Sequence, residues 1–122
     1  MRTGDALTRG GDGFGHTGGV GEDGEELRIT DNPELHRLEA HLGERLAAFV
    51  VYRHEPGRVV LTHTETLPGY EGRGIASRLA GAALDEARAR GLRVTPVCPF
   101  IAAYMRKHPE YSDLRVLRTG PA

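Results

Sequence analysis

The stretch Leu67-Pro68-Gly69-Tyr70-Glu71-Gly72-Arg73-Gly74-Ile75-Ala76-Ser77 constrains this chain more than any other. It joins a β-branched run, Val59 to Thr66, to an amphipathic helical pattern that ends at Gly91. Strand, glycine turn and helix in that order leave a row of unpaired backbone N–H groups at the helix start, a natural seat for an anion. Gly72 and Gly74 carry no side chain that would hold a phosphate away from that row. A Gly-x-Gly turn alone fits an ordinary left-handed bend as well as a pyrophosphate site, so the neighbouring segments decide. A dinucleotide-binding turn is disfavoured, because Ser77 stands where the third glycine of Gly-x-Gly-x-x-Gly belongs.

Upstream, residues 1–26 are glycine-rich and hold little to bury, so a flexible tail is expected there. The folded domain is expected over residues 27–118, with 119–122 as a short C-terminal tail. Leu27–Asp31 reads as a short strand. Asn32–Leu42 carries two patterns. Asn32-Pro33 is a helix start, and Leu35, Leu38 and Leu42 fit a helical stripe. Yet Leu38, Ala40 and Leu42 also alternate with Arg37, Glu39 and His41, which favours a half-buried strand that turns at Gly43. In Arg45–Tyr52 both alternating sets are apolar, which predicts an interior strand covered on both faces. His54-Glu55-Pro56-Gly57 is turn chemistry and predicts an antiparallel hairpin with Arg58–Thr66.

After Gly74, the residues Ile75, Leu79, Ala83 and Ala87 recur at steps of four, and Gly91 is a left-handed stop. The small alanine face suits close packing on a sheet. Arg93–Cys98 then returns after a helical crossover and should run parallel to Arg58–Thr66. A second helix is predicted over Phe100–Lys107, and a short last strand over Leu114–Leu117. The expected fold is a single α/β domain with a mixed, mainly antiparallel sheet, one parallel pair and two principal helices.

Composition narrows the function classes. The 122 residues suffice for one domain, and a net charge of −1 argues against a nucleic-acid partner. Cys98 is the only cysteine, which excludes an internal disulfide and suits a reducing, cytoplasmic setting. No apolar run approaches the roughly 20 residues of a membrane helix, and no signal-peptide order is seen at the N-terminus. Neither a membrane partner nor a metal site is expected, and the chain should be a monomer or a weak homodimer.

Two prolines sharpen the reading of the turn. Pro68 follows the strand before the turn and Pro96 lies in the strand that should pair with it, and neither donates a ladder hydrogen bond. Parallel strands that lose donors at their carboxyl ends can separate there and open a wedge, where α/β sheets bind ligands. Thr66-Leu67-Pro68 followed by Glu71-Gly72-Arg73-Gly74-Ile75-Ala76 resembles the acetyl-coenzyme-A signature of GNAT-type N-acetyltransferases, [Gln/Arg]-x-x-Gly-x-[Gly/Ala]. Together with His63-Thr64-Glu65, Cys98-Pro99-Phe100, Tyr104 and His108-Pro109-Glu110-Tyr111, it resembles a minimal, YjdJ-type branch of that superfamily.

The resemblance implies a splayed strand pair with pantetheine between the strands, beside Thr66 and Leu67. The pyrophosphate would lie on the N–H groups from Gly72 through Arg73, Gly74 and Ile75 to Ala76 and Ser77. Glu71 departs from the signature, and Arg73 can supply the positive charge that Glu71 lacks. Arg106 and Lys107, with His108, form a basic cluster that suits the 3′-phosphate of coenzyme A as well as a bare helix end. Tyr104 matches the family's general acid, which protonates the departing thiolate. His63 and Glu65, two apart on a strand and therefore on one face with Leu61 and Val59, are the candidate bases. Cys98 is either a small buried residue or the carrier of an acyl-cysteine intermediate. The implied function is an acetyl-coenzyme-A-dependent N-acyltransferase working by direct amine attack, with a small amine or a protein amine as acceptor. The alternative is a module that binds acyl-coenzyme A without turnover.

Overall fold

The computed structural model describes residues 17–20 and 26–116. Six strands follow the chain across one sheet in order: β1 (Thr17–Val20), β2 (Glu26–Asn32), β3 (Arg37–Leu42), β4 (Arg45–Glu55), β5 (Arg58–Thr66) and β6 (Arg93–Pro96). The first five pair antiparallel, and β6 runs parallel to β5 after the crossover helix α1 (Ile75–Ala89). A second helix, α2 (Pro99–Lys107), and a 3₁₀ segment, Pro109–Leu114, complete the domain. The expected mixed sheet with a parallel pair and two main helices is what forms.

Asn32–Leu42 contains both of its sequence patterns in turn. Asn32 caps a 3₁₀ turn, Pro33–Leu35, by accepting from the Leu35 N–H at 3.3 Å, and the alternating part becomes β3. Three details differ from expectation. β1 lies inside the stretch read as a flexible tail and pairs with β2; ladder bonds are backbone bonds, so the run needs no apolar alternation to form them. Residues 1–16, 21–25 and 117–122 lie outside the described residues, and Glu26 already belongs to β2. Leu114 closes the 3₁₀ segment rather than opening a strand, and Arg115 makes one parallel bridge with Val94. Both helices share one sheet face, so β4 is not covered by helix on both sides: Val50 is fully buried, but Phe49 and Val51 stay partly exposed.

One core joins that face to the helices. Leu38, Val50, Leu61 and Val94 meet Leu79, Ala83, Leu84 and Ala87 of α1 and Ile101 and Met105 of α2. Alanines at 80, 83 and 87 keep α1 close to the strands, as the stripe predicts. Among the described residues, no helix is long and apolar enough to cross a membrane.

Candidate functional site

The glycine turn is built to present the first turn of α1. Leu67 N–H bonds Ala47 O at 2.8 Å, and Tyr70 N–H bonds Leu67 O at 3.1 Å, which anchors the loop to β4. Gly69, Gly72 and Gly74 take φ of 93°, 79° and 76°. Gly74 is the N-cap of α1 in the left-handed region, and no side chain caps the helix. The first helical bond runs from Arg78 N–H to Gly74 O, so the N–H groups of Ile75, Ala76 and Ser77 come before any ladder partner. A Cβ at Gly72 or Gly74 would meet nothing within 4 Å. The protein therefore needs glycine here for the positive φ, and the space above the turn is open to an outside group. Glu71 is drawn back into the loop, where its carboxylate accepts from the Gly69 N–H at 3.0 Å. Arg73 lies with its guanidinium 5.5 Å from the Tyr70 ring.

Beside this turn the parallel strands part. β5–β6 pairing stops at Leu61↔Pro96, and a last bond joins Cys98 N–H to Leu61 O at 2.9 Å. Beyond it Thr62–Thr66 continue along β4 without a β6 partner, while the chain turns at Cys98 and Pro99 into α2. Pro96 thus marks the fork, as its missing donor suggests. At the crotch Cys98 is buried, and its Sγ–H donates to Thr64 Oγ1 at 3.3 Å.

His63 and Glu65 do not share a face with Leu61 and Val59. The β4–β5 register shifts by one between Val51↔His63 and Tyr52↔Leu61, which leaves Thr62 as a bulge. Its hydroxyl bonds Val51 O at 3.2 Å. The extra residue restarts the alternation, so Thr64 follows Leu61 to the helix side, and His63 and Glu65 turn to the opposite face. There they lie 3.2 Å apart and exposed, with the His63 ring edge-on to Phe49 at 6.4 Å. Phe49 sits between Glu39 and Glu65 across three strands, under the Arg37 guanidinium at 4.3 Å.

Glu39 is the buried anion of this face. Burial pushes its carboxyl up, but hydrogen bonds from Arg37 (2.7 Å) and Asn32 (2.9 Å) and the nearby charges outweigh that and hold it below 4.5. A depressed carboxyl contributes stability that is complete above its unfolded value and is lost as pH falls through the folded one. Chemical denaturation should therefore show stability falling below about pH 4.5, with a shallower fall in Glu39→Gln.

Tyr104 stands apart from these groups, in the seam between the helices. Its ring stacks on His108 (4.1 Å, 24°) and lies 6.3 Å from Tyr111. Burial raises its phenol above the ordinary tyrosine value, helped by the Asp85 and Glu110 carboxylates. Tyr111 gives its hydroxyl to Asp85 at 2.7 Å. Arg106 and Lys107 are exposed in the last turn of α2. The predicted residues therefore fall in four places: the turn with the fork at Thr66 and Cys98; the His63–Glu65 pair on the far face; Tyr104 between the helices; and Arg106 and Lys107 at the end of α2. A separate apolar cavity under the C-terminal half of α1, lined by Leu38, Tyr52, Leu61, Ala83 and Ala87 among others, shares no residue with these groups.

The family model for GCN5-related N-acetyltransferases matches residues 37–114, from β3 through the 3₁₀ segment. The chain belongs to that family. Protein NATD1 of mouse is 33% identical over 90 residues, which is 72% of this chain and 82% of NATD1. Human NATD1 is likewise 33% identical, over 93 residues, covering 75% and 82% of the two chains. The solution structure of a GCN5-like putative N-acetyltransferase from Staphylococcus aureus superposes with a TM-score of 0.59 at 20% identity, over 75% of this chain and 89% of that one. At that identity it supports the shared fold.

For this GCN5-related chain, three contributors escape the sequence pattern. Thr64 reads as one of several strand threonines, and Phe49 as core. Gly81, over which the Tyr104 hydroxyl packs, carries a usable signal, since glycine inside a helix costs about 1 kcal/mol against alanine and usually marks a packing reason.

Proposed function

We propose that the protein is an acetyl-coenzyme-A-dependent N-acyltransferase that transfers the acetyl group directly to an amine. The observation that carries this is the fork between β5 and β6 opening beside the uncapped start of α1. The residues fit the cofactor. Ile75, Ala76 and Ser77 offer N–H groups to a pyrophosphate at the positive end of a helix. The free edge of Thr62–Thr66 offers backbone groups to an extended chain such as pantetheine. The Glu71 carboxylate is engaged by the Gly69 N–H within the loop, and Arg73, two residues on, adds a positive charge beside the N–H row. When bound, the cofactor supplies an activated thioester carbonyl.

The chain's own residues then divide the proton work. On the face without helices, the His63–Glu65 pair takes the proton that an incoming ammonium must lose. Tyr104 gives a proton to the departing thiolate. Cys98 serves the fork as a packed, hydrogen-bonded wall residue, which sets direct transfer against the acyl-cysteine route. Under direct transfer, Cys98→Ala should keep turnover within about threefold, and no acetylated cysteine should appear in the intact mass after incubation with acetyl-coenzyme A. A loss of two or more orders of magnitude, or a stable adduct on Cys98, rejects direct transfer.

The broader test is in two steps. Acetyl-coenzyme A should raise the melting temperature, as any ligand of the folded state does. Thiol release with a panel of small amines, polyamines and lysine peptides should then separate an enzyme from a non-catalytic acyl-coenzyme-A binder, for which the shift occurs and no amine releases thiol.

A further inference from the structure

Four tyrosines belong to the core or pack against it, Tyr52, Tyr70, Tyr104 and Tyr111, and two of them give their hydroxyls to carboxylates. Tyr52 gives its hydroxyl to Asp31 at 2.6 Å, and Tyr111 gives its own to Asp85 at 2.7 Å. Tyr104 hydroxyl makes no hydrogen bond among the described residues, and it lies directly over the α1 backbone at Gly81. A Cβ built on Gly81 would come within 2.9 Å of that oxygen and 3.8 Å of the ring carbon Cζ. The first distance is one that packed Cβ atoms do not adopt; the second is ordinary contact. Gly81 has no positive φ, so its backbone conformation does not call for glycine. The helix would gain from alanine there.

We propose that Gly81 is a positioning residue that fixes where the Tyr104 hydroxyl sits. The inference rests on the reading of Tyr104 as the proton donor and extends it to a residue on another helix. One face of α1 organises the seam. Gly81 makes room for the Tyr104 hydroxyl. Asp85, one turn on, takes the Tyr111 hydroxyl, and Arg88 pairs with Asp113 at 2.9 and 3.0 Å. Asp85 thereby engages the neighbouring phenol and holds Tyr111 as a wall, while His108 stacks on the Tyr104 ring and limits its swing. The ring is clamped from the α2 side and the hydroxyl is placed from the α1 side. In the step this serves, the amine nitrogen forms its bond to the acetyl carbon as the carbon–sulfur bond breaks. The Tyr104 O–H proton goes to the thiolate, and a proton released from the nitrogen returns to the phenolate through solvent, so no net charge stays on the protein.

The test is a double-mutant cycle of Gly81→Ala and Tyr104→Phe, read as thiol release from acetyl-coenzyme A with an amine that supports turnover. Tyr104→Phe should lower kcat about 100-fold. Gly81→Ala alone should lower kcat at least tenfold with the melting temperature unchanged or higher. It should cost nothing further in the Tyr104→Phe background, because only the hydroxyl is crowded by the new methyl group, Cζ being at ordinary contact. NMR of the protein with labelled tyrosines gives a readout independent of turnover: Gly81→Ala should move the Tyr104 ring resonances and their contacts with His108, and leave those of Tyr52 in place. If Tyr104→Phe keeps full activity, the reading of Tyr104 as proton donor fails, and this inference fails with it. If Tyr104→Phe is impaired but Gly81→Ala is not, or if Gly81→Ala costs the same in both backgrounds, or if the Tyr104 resonances stay put, the positioning role alone is overturned.

Discussion

Replacing Gly74 by valine should sharply weaken the response to acetyl-coenzyme A and lower the stability of the free protein. Gly74 is the N-cap of α1 at φ 76°. Holding an L-residue in that region costs roughly 1–2 kcal/mol, and a β-branched side chain sits at the upper end. No atom stands within 4 Å of the added Cβ, so the penalty is conformational and does not come from crowding. If the turn relaxes to escape it, the N–H groups of Ile75, Ala76 and Ser77 lose their common aim. If it does not relax, the valine occupies the open space through which a pyrophosphate approaches. Either way affinity should fall on the order of 100-fold, the loss of about 2.7 kcal/mol of anion binding. Gly57 provides the control. It has the same φ of 76° and the same empty surroundings, but lies in the β4–β5 hairpin at the other end of the strand. Gly57→Val should lose comparable stability while keeping the full ligand-induced rise in melting temperature. Equal loss of ligand response in both variants would show that the effect of Gly74→Val is global and carries no information about the site.

Much of this arrangement could be read from residues, and the parts that could not have a common cause. α1 was legible because Ile75, Leu79, Ala83 and Ala87 repeat at helical spacing between two glycines with positive φ, Gly74 and Gly91. The parallel return of β6 followed from the crossover helix, and the fork from Pro96. The face on which His63 and Glu65 stand was not legible. It depends on Thr62, and a bulge is set by how two strands fit together, with no mark in the composition of either. The Cys98–Thr64 contact has the same origin: the two are 34 residues apart and meet only because the bulge sends Thr64 to the helix side. Gly72 and Gly74 take the left-handed conformation expected of an ordinary bend, and the space beside them is also open. Their first requirement is backbone conformation, and access for a ligand is the consequence.

The face assignment also bears on the proposed transfer to an amine. Both helices and the core fill one side of the sheet, so a bulky acceptor approaching the fork has the other side, where Phe49, His63 and Glu65 are accessible. Under the proposed function, cofactor and acceptor would lie on opposite faces of the sheet, the cofactor with the loop and helices and the acceptor beside Phe49, His63 and Glu65.

Glu65→Gln and His63→Asn should each lower kcat about 100-fold, with almost no change in melting temperature. The side chains are 49% and 58% exposed, and the ion pair between them at 3.2 Å is too solvated to matter for folding. Their contribution should appear only when an ammonium must be deprotonated next to the thioester. Because they are hydrogen-bonded to each other, they should act as one unit, and the double variant should be no worse than the more damaged single one. Independent roles, one orienting and one accepting the proton, would instead multiply the losses to about 10⁴-fold. A third outcome, full activity in both variants, would move the proton acceptor off β5 and leave the pair as a surface contact. Affinity for acetyl-coenzyme A should be unchanged throughout, since neither side chain lies on the helix side of the sheet with the loop. A loss of cofactor binding in Glu65→Gln would therefore contradict the separation of faces that the Thr62 bulge imposes.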